Sequence, residues 1–129
     1  MKQTYSKIYP ENLTIPARRR VIKEGEFAMH KEIQSVTMPG SIRVIRPMAF
    51  DSCYNLQSIS LSEGLETIES SAFFKCFGLE SVEIPSSVQY IGEDAFGFCQ
   101  NLKHIRIPKG TDVSEHAFRE SPNVKVERY

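Results

Sequence analysis

Three cysteines and one histidine recur at a single spacing, and this residue set could in principle do chemistry. Cys53, Cys76 and Cys99 are 23 residues apart, and His30 precedes Cys53 by the same interval. One histidine and three cysteines form a known zinc ligand set. A cysteine beside a histidine is also the pairing that activates a thiol nucleophile. The elements that hold these residues therefore decide whether any of this chemistry is available.

The cysteines belong to a repeat that extends through most of the chain. The segments beginning at Ile33, Leu56 and Leu79 are each 23 residues long and share one register. The segment from Leu102 is one residue short, and a degenerate copy precedes Ile33. A fixed period of this length is the signature of a solenoid. We predict a single domain over 1–129, with a cap at 1–12, repeats at about 10–32, 33–55, 56–78, 79–101 and 102–123, and a stub at 124–129.

The pattern inside each repeat predicts a strand followed by a second inward-facing segment. In the copy from Leu79, Val82 and Ile84 alternate with polar residues, and Pro85 follows where a missing N–H does little harm. The second segment has apolar residues at Val88, Ile91, Ala95 and Phe96. One coil cannot bury these side chains alone. Stacking coils at the strand spacing of about 4.8 Å would cover each with its counterpart and build one core.

The stretch from Ile84 to Leu102 carries the pattern I-P-x-x-V-x-x-I-G-x-x-A-F-x-x-C-x-x-L, which resembles the BspA-like, or Treponema pallidum type, leucine-rich repeats. This resemblance implies a right-handed leucine-rich-repeat solenoid of about five 23-residue coils with one short parallel β-strand per coil. One parallel sheet would line one face, and shorter irregular or strand segments would form the other. Members of the family in bacteria and some protists are often surface proteins linked to adhesion or host-protein binding. The family has no general catalytic residue set.

Stacked coils would keep the cysteines and His30 too far apart to bind one zinc ion. Equivalent residues stand in a row at about 4.8 Å per coil, so His30 and Cys99 would lie about 14 Å apart. Zinc ligands instead lie about 2 Å from one centre. We expect no metal, no cofactor and no catalysis, with the cysteines packing as small apolar side chains. A disulfide between neighbouring coils is a less favoured alternative, because the three cysteines are odd in number.

The outward strand positions are the better functional candidates, because a solenoid presents them as rows on an extended surface. The candidate binding residues are Thr14, Ser35, Thr37, Ser58, Ser60, Ser81, Glu83, His104 and Arg106. An alternative interpretation is a solvated sheet with a Glu83–Arg106 cross-strand pair. The rows contain no Trp, Tyr or Phe, which argues against a tight interface.

The charges favour a protein partner over a nucleic acid. Lys plus Arg and Asp plus Glu each number 16, although residues 1–46 carry net +5 and residues 47–129 net −5. Arg43 and Arg46 stand one repeat before Glu66 and Glu69, which predicts internal charge matching. We therefore expect no nucleic-acid binding. The charge gradient and the open ends of a solenoid are compatible with a monomer or with weak end-to-end association.

The hydropathy pattern gives no membrane segment, because no run of about 18 apolar residues occurs. The given N-terminus also lacks an apolar export signal. As it stands the chain would be cytoplasmic, whereas the family resemblance implies the cell surface or secretion, so localisation stays open. We predict a non-catalytic protein-interaction module with adhesin-like binding through the polar strand face. The alternative is a structural spacer, or a fragment of a larger repeat surface protein, without a local binding site.

Overall fold

The computed structural model describes residues 7–129, so part of the predicted N-terminal cap lies outside the described residues. The described chain is a β-solenoid of about five coils, and these residues form no helix. The strands are β1 (Asn12–Thr14), β2 (Val21–Ile22), β3 (Ser35–Thr37), β4 (Val44–Ile45), β5 (Ser58–Ser60), β6 (Thr67–Ile68), β7 (Ser81–Glu83), β8 (Tyr90–Ile91), β9 (His104–Ile107), β10 (Asp112–Val113) and β11 (Lys125–Arg128). Each coil thus contributes two short strands, because the second segment also becomes a strand.

The even-numbered strands form one continuous parallel sheet in the order β10-β8-β6-β4-β2. For example, Thr67 and Ile68 of β6 pair in register with Val44 and Ile45 of the neighbouring strand β4. The last coil absorbs its missing residue before β10, since Asp112 pairs with Tyr90 at an offset of 22 residues. The sheet therefore remains in register through the one-residue deletion.

The odd-numbered strands form two three-stranded parallel sheets rather than the single sheet expected from the sequence. Their orders are β1-β3-β5 and β11-β9-β7, so the hydrogen-bonded ladder is interrupted between β5 and β7. Ile59 and Leu61 are partly exposed at this break, whereas Val82 and Ile84, the equivalent residues of the next coil, are buried. The coils stay joined because β6 and β8 pair on the other side of the solenoid.

The turn after each even-numbered strand is a third hydrogen-bonded side of the solenoid. In one coil the backbone N–H groups of Ser71, Phe73 and Lys75 donate to carbonyls of the next coil over 2.8–2.9 Å. Ser71 and Lys75 make these hydrogen bonds with φ angles of 56° and 59°. The left-handed conformation is uncommon for residues other than glycine, so the inter-coil hydrogen bonds must offset its cost.

A column of phenylalanines forms the centre of the core, as the repeat pattern predicts. Phe27, Phe50, Phe73 and Phe96 stack with ring centroids 5.1–5.2 Å apart. The predicted inward residues are confirmed as buried: Val88, Ile91, Ala95 and Phe96. One coil alone is too thin to bury its own phenylalanine. Because each ring covers the next, the stacked coils share one continuous core.

Candidate protein-binding surface

The candidate residues occupy two adjacent rows on the odd-numbered strands, and together they define the strand face. The nine residues are Thr14, Ser35, Thr37, Ser58, Ser60, Ser81, Glu83, His104 and Arg106, all exposed except the half-buried Ser35 and Arg106. Leu13, Val36 and Ile105 alternate with them and point into the core. The alternation of the strands therefore places all nine on the outer side of the solenoid.

The C-terminal end of the strand face is organised around the Arg106 guanidinium. It donates to the carboxylates of Glu127, at 2.7 Å, and Glu83, so the predicted Glu83–Arg106 pair is confirmed. The Glu127 and Glu83 hydrogen bonds raise the pKa of Arg106 above its usual value. The guanidinium also lies 4.3 Å from the centroid of the Tyr129 ring. Three neighbouring groups thus hold this arginine in one position.

Tyr129 supplies the aromatic side chain that the two rows lack. Its hydroxyl donates to the Ile84 carbonyl two coils away, while the side chain stays 37% exposed. Partial burial and the nearby Glu83 and Glu63 charges raise the pKa of this phenol. The contact could not be found from the repeat, because Tyr129 lies beyond the last full copy of the pattern. An exposed Tyr beside a fixed Arg is the composition typical of binding hot spots.

The centre of the strand face is polar and carries no ion pair among the described residues. Ser58, Ser60 and Ser81 stand at the interruption between β5 and β7. Beyond β5, the Glu63 carboxylate accepts hydrogen bonds from Ser86 and Ser87 over 2.8–3.1 Å. These hydrogen bonds lower the pKa of Glu63. Side-chain bonds thus join the two coils near the place where the backbone ladder is broken.

The cysteines are placed as the sequence predicts, but each also makes a specific hydrogen bond. Cys53, Cys76 and Cys99 are free, fully buried thiols in one row. Each thiol donates to the carbonyl of a phenylalanine in the preceding coil, at 3.1–3.3 Å. Burial raises the pKa values of Cys53 and Cys99 to about 12, and it also raises the pKa of Cys76 well above its ordinary value. A protonated, inaccessible thiol is a poor nucleophile.

His30 occupies the same position in the first coil and serves a different purpose. Its Nδ1 atom lies 2.8 Å from a Glu32 carboxylate oxygen, and that carboxylate also accepts the Tyr9 N–H. The Tyr9 and Glu32 backbone N–H groups and His30 lower the pKa of Glu32 to about 2. The Tyr9 ring packs edge-on against Phe27 with centroids 4.8 Å apart. These contacts close the N-terminal end of the phenylalanine column.

The charge matching predicted on the even-numbered strands is present in one row. Arg46 and Glu69 form an ion pair at 3.3 Å. In the other row the Arg43 guanidinium instead donates to the Gly40 carbonyl, a contact that the repeat register did not indicate. No group of three or more His, Cys, Asp or Glu residues within 7–129 is arranged to hold a metal ion. The same part of the chain has no helix long and apolar enough to cross a membrane.

The fold and its exposed strand rows define a leucine-rich-repeat β-solenoid. The model of the BspA type leucine rich repeat region matches residues 2–125 with six copies of the repeat. The chain therefore belongs to the BspA-type leucine-rich-repeat family. No curated protein matches the sequence significantly.

Solved structures with the same architecture come from several bacteria. The leucine rich repeat protein of T. pallidum is 29% identical with a TM-score of 0.87, covering 91% of this chain and 58% of its own. A leucine rich cell surface protein from Faecalibacterium prausnitzii is 30% identical with a TM-score of 0.89, covering 93% and 32%. A leucine-rich repeat protein from Bacteroides ovatus is 25% identical with a TM-score of 0.83, covering 93% and 34%. This chain thus spans between about a third and three fifths of these proteins. Proteins of this repeat class typically act in protein interactions or at surfaces and are generally non-enzymatic.

Proposed function

We propose that this chain is a non-catalytic protein-interaction module that binds its partner through the strand face. The observation that carries the proposal is the pair of exposed polar rows on a rigid, backbone-bonded stack. Short hydroxyl side chains lose little conformational entropy on binding and can each donate or accept a hydrogen bond. The surface is therefore suited to recognising polar groups of a partner over several coils.

The Arg106 end of the face is the proposed anchor of the interaction. Arg106, Glu83, Glu127 and Tyr129 form one cluster that is already ordered before a partner arrives. Because arginine and tyrosine are enriched among residues that dominate binding energy, this cluster would contribute more than the serine positions. Preorganisation lowers the entropic cost of association.

Adhesin-like binding at a cell surface is the finer form of the proposal. It is supported by the F. prausnitzii relative, which is described as a cell surface protein. The partner would then be an exposed protein of another cell or of a host. The family membership supports this class of partner, and the polar rows supply the contacts.

The test uses biolayer interferometry against an array of purified mammalian extracellular proteins. The variant Thr37→Arg/Ser60→Arg places two long cations on the strand face, and we expect at least about tenfold weaker binding of any captured protein. Ser70→Arg/Gln100→Arg adds the same charge at exposed positions outside the strand face and should bind like the wild type. Equal binding by the two double variants would contradict the strand-face assignment.

A structural spacer is the second candidate, and the continuity of the stack favours it. Hydrogen bonds join successive coils in the even-numbered sheet and in the turns. The chain can therefore act as a rigid spacer without any local binding site. This function predicts that no protein on the array is captured. Capture that is sensitive to Thr37→Arg/Ser60→Arg would rule it out.

A further inference from the structure

The even-numbered strands present an apolar row on the outer surface of the solenoid. The row consists of Val21, Val44, Thr67 and Tyr90, one residue from each of the first four coils, and it ends in the fifth coil at the charged residue Asp112. The first three are half-buried and Tyr90 is 40% exposed, whereas the alternate residues Ile22, Ile45, Ile68 and Ile91 are fully buried. This surface lies apart from the strand face, and Tyr90 gives it an exposed aromatic side chain of its own.

Charged rows border the apolar row on both sides, and their sign changes along the stack. The preceding row is Arg20, Arg43, Glu66 and Gln89, and the following row is Lys23, Arg46, Glu69 and Gly92. Both rows are basic in the first two coils and acidic in the third. Arg46 remains 49% exposed despite its ion pair with Glu69, so its guanidinium can still reach a second carboxylate.

This charge order is complementary to itself when a second copy is turned end for end. A two-fold axis parallel to the strands, between the second and third coils, brings Arg46 opposite Glu69 and Arg43 opposite Glu66 of the other copy. The same rotation brings Val44 opposite Thr67 and Val21 opposite Tyr90. A two-fold axis along the stack would instead place Arg20 opposite Lys23. Like charges facing one another oppose that second arrangement.

We propose that the surface formed by the apolar row and its two charged rows binds a second copy of this chain in antiparallel orientation. An isologous contact of this kind is the commonest way that identical chains associate. A uniformly acidic partner or a nucleic acid would meet repulsion from Glu66 and Glu69 in the third coil, whereas a second copy places Arg43 and Arg46 there. The inference does not depend on the strand face and leaves that face free.

The dimer is expected to be weak, because the contact is small. Four strands at about 4.8 Å each give a surface roughly 15–20 Å long, below the size of a standard stable interface. Association should therefore be measured by sedimentation velocity from about 10 µM to about 1 mM, the range in which weak complexes form. We expect the sedimentation coefficient of the wild-type chain to rise with concentration.

Two charge reversals distinguish a contact between copies from a contact within one chain. Arg46→Glu alone and Glu69→Arg alone each put like charges opposite one another in the dimer, so each should associate at least about tenfold more weakly. In an equimolar mixture of the two variants, the introduced glutamate of one chain faces the introduced arginine of the other across the interface. The unchanged Glu69 of the first chain likewise faces the unchanged Arg46 of the second.

Neither variant chain regains its internal ion pair on mixing, because each carries two like charges at these positions. Recovery of association in the mixture therefore reports the contact between copies. Thermal unfolding of each variant alone confirms that it is folded.

End-to-end association is the competing arrangement, and Val126→Asp in the terminal strand β11 serves as its control. Val126 is exposed on that strand, away from the apolar row, so our proposal expects wild-type association. The proposal is overturned if the wild type stays monomeric through the concentration range. It is also overturned if Val126→Asp abolishes association while Arg46→Glu does not, or if the mixture fails to associate.

Discussion

The Cys76 thiol donates a hydrogen bond to the Phe50 carbonyl, 3.3 Å away in the preceding coil. Cys53 and Cys99 make the same contact with Phe27 and Phe73. In the last coil Ser121 takes the position and donates its hydroxyl to the Phe96 carbonyl at 2.6 Å. In the four coils that follow a phenylalanine carbonyl, this position is therefore occupied by a small side chain that donates a hydrogen bond, and apolar packing alone does not explain it.

Substitution of Cys76 separates the contribution of the thiol hydrogen bond to stability from the contribution of apolar packing. Cys76→Ala removes the thiol donor and leaves a small cavity, so we expect it to lower the free energy of unfolding by about 1–2 kcal/mol. Cys76→Ser keeps a donor at a position where Ser121 shows that a hydroxyl fits, and it should lose less. Urea unfolding monitored by circular dichroism measures both. If alanine were as stable as cysteine, the thiol hydrogen bond would have no measurable role.

The raised thiol pKa values predict loss of stability at alkaline pH. An unfolded thiol has its ordinary pKa of 9.0, whereas Cys53 and Cys99 in the folded chain have pKa values of about 12. Below pH 9.0 both states keep their protons, so the contribution is constant. As the pH rises above 9.0, the unfolded state loses protons first and the free energy of unfolding falls until the pH passes the folded pKa.

The measurement is the urea midpoint between pH 8 and about pH 11 for the wild type and for Cys53→Ser/Cys76→Ser/Cys99→Ser. The wild-type midpoint should fall more steeply, because only the wild type has thiols and every other titratable group is common to both proteins. A thiol reagent added at about pH 8 should label the wild type only after urea unfolds it. Parallel midpoints in the two proteins, or rapid labelling of the folded chain, would contradict the assignment.

The periodic features of this structure could be predicted from the sequence, and the features that depend on one coil could not. Phe73 and Cys76 are at their predicted places because identical neighbours on both sides enforce the same environment. The interruption between β5 and β7 falls between two full 23-residue copies of the repeat, and the repeat pattern does not distinguish this pair of coils from the others. Tyr129 is a further example, because it reaches the Ile84 carbonyl from beyond the last complete repeat. For the candidate surface, the outward rows were predictable, whereas the Arg106 cluster was not, because Glu127 and Tyr129 lie beyond the last complete repeat.

Gly64 is required by a close approach between two coils. Its φ angle is 110°, and an added Cβ would lie 2.6 Å from the Gly40 carbonyl oxygen. Gly64→Ala must therefore displace backbone and adopt a strained conformation, and we expect a loss of about 2 kcal/mol or more. Gly110→Ala is the matched control, because a Cβ there meets nothing within 4 Å. Urea unfolding should leave Gly110→Ala within about 0.5 kcal/mol of the wild type, and equal losses in the two variants would contradict the steric argument.

Two adjacent serines test whether the left-handed turn residues store strain. Ser71 has a φ angle of 56°, whereas its neighbour Ser70 is outside the left-handed region. Glycine adopts positive φ without a Cβ clash, so relief of strain in Ser71→Gly should raise the free energy of unfolding by up to about 1 kcal/mol. The greater entropy of glycine in the unfolded chain offsets part of this gain. Ser70→Gly has only the entropic cost and should lose about 0.5–1 kcal/mol. We therefore expect Ser71→Gly to unfold at a higher urea concentration than Ser70→Gly. The reverse order would mean that the inter-coil hydrogen bond of Ser71 does not hold a strained backbone, and that the serine side chain itself stabilises the turn.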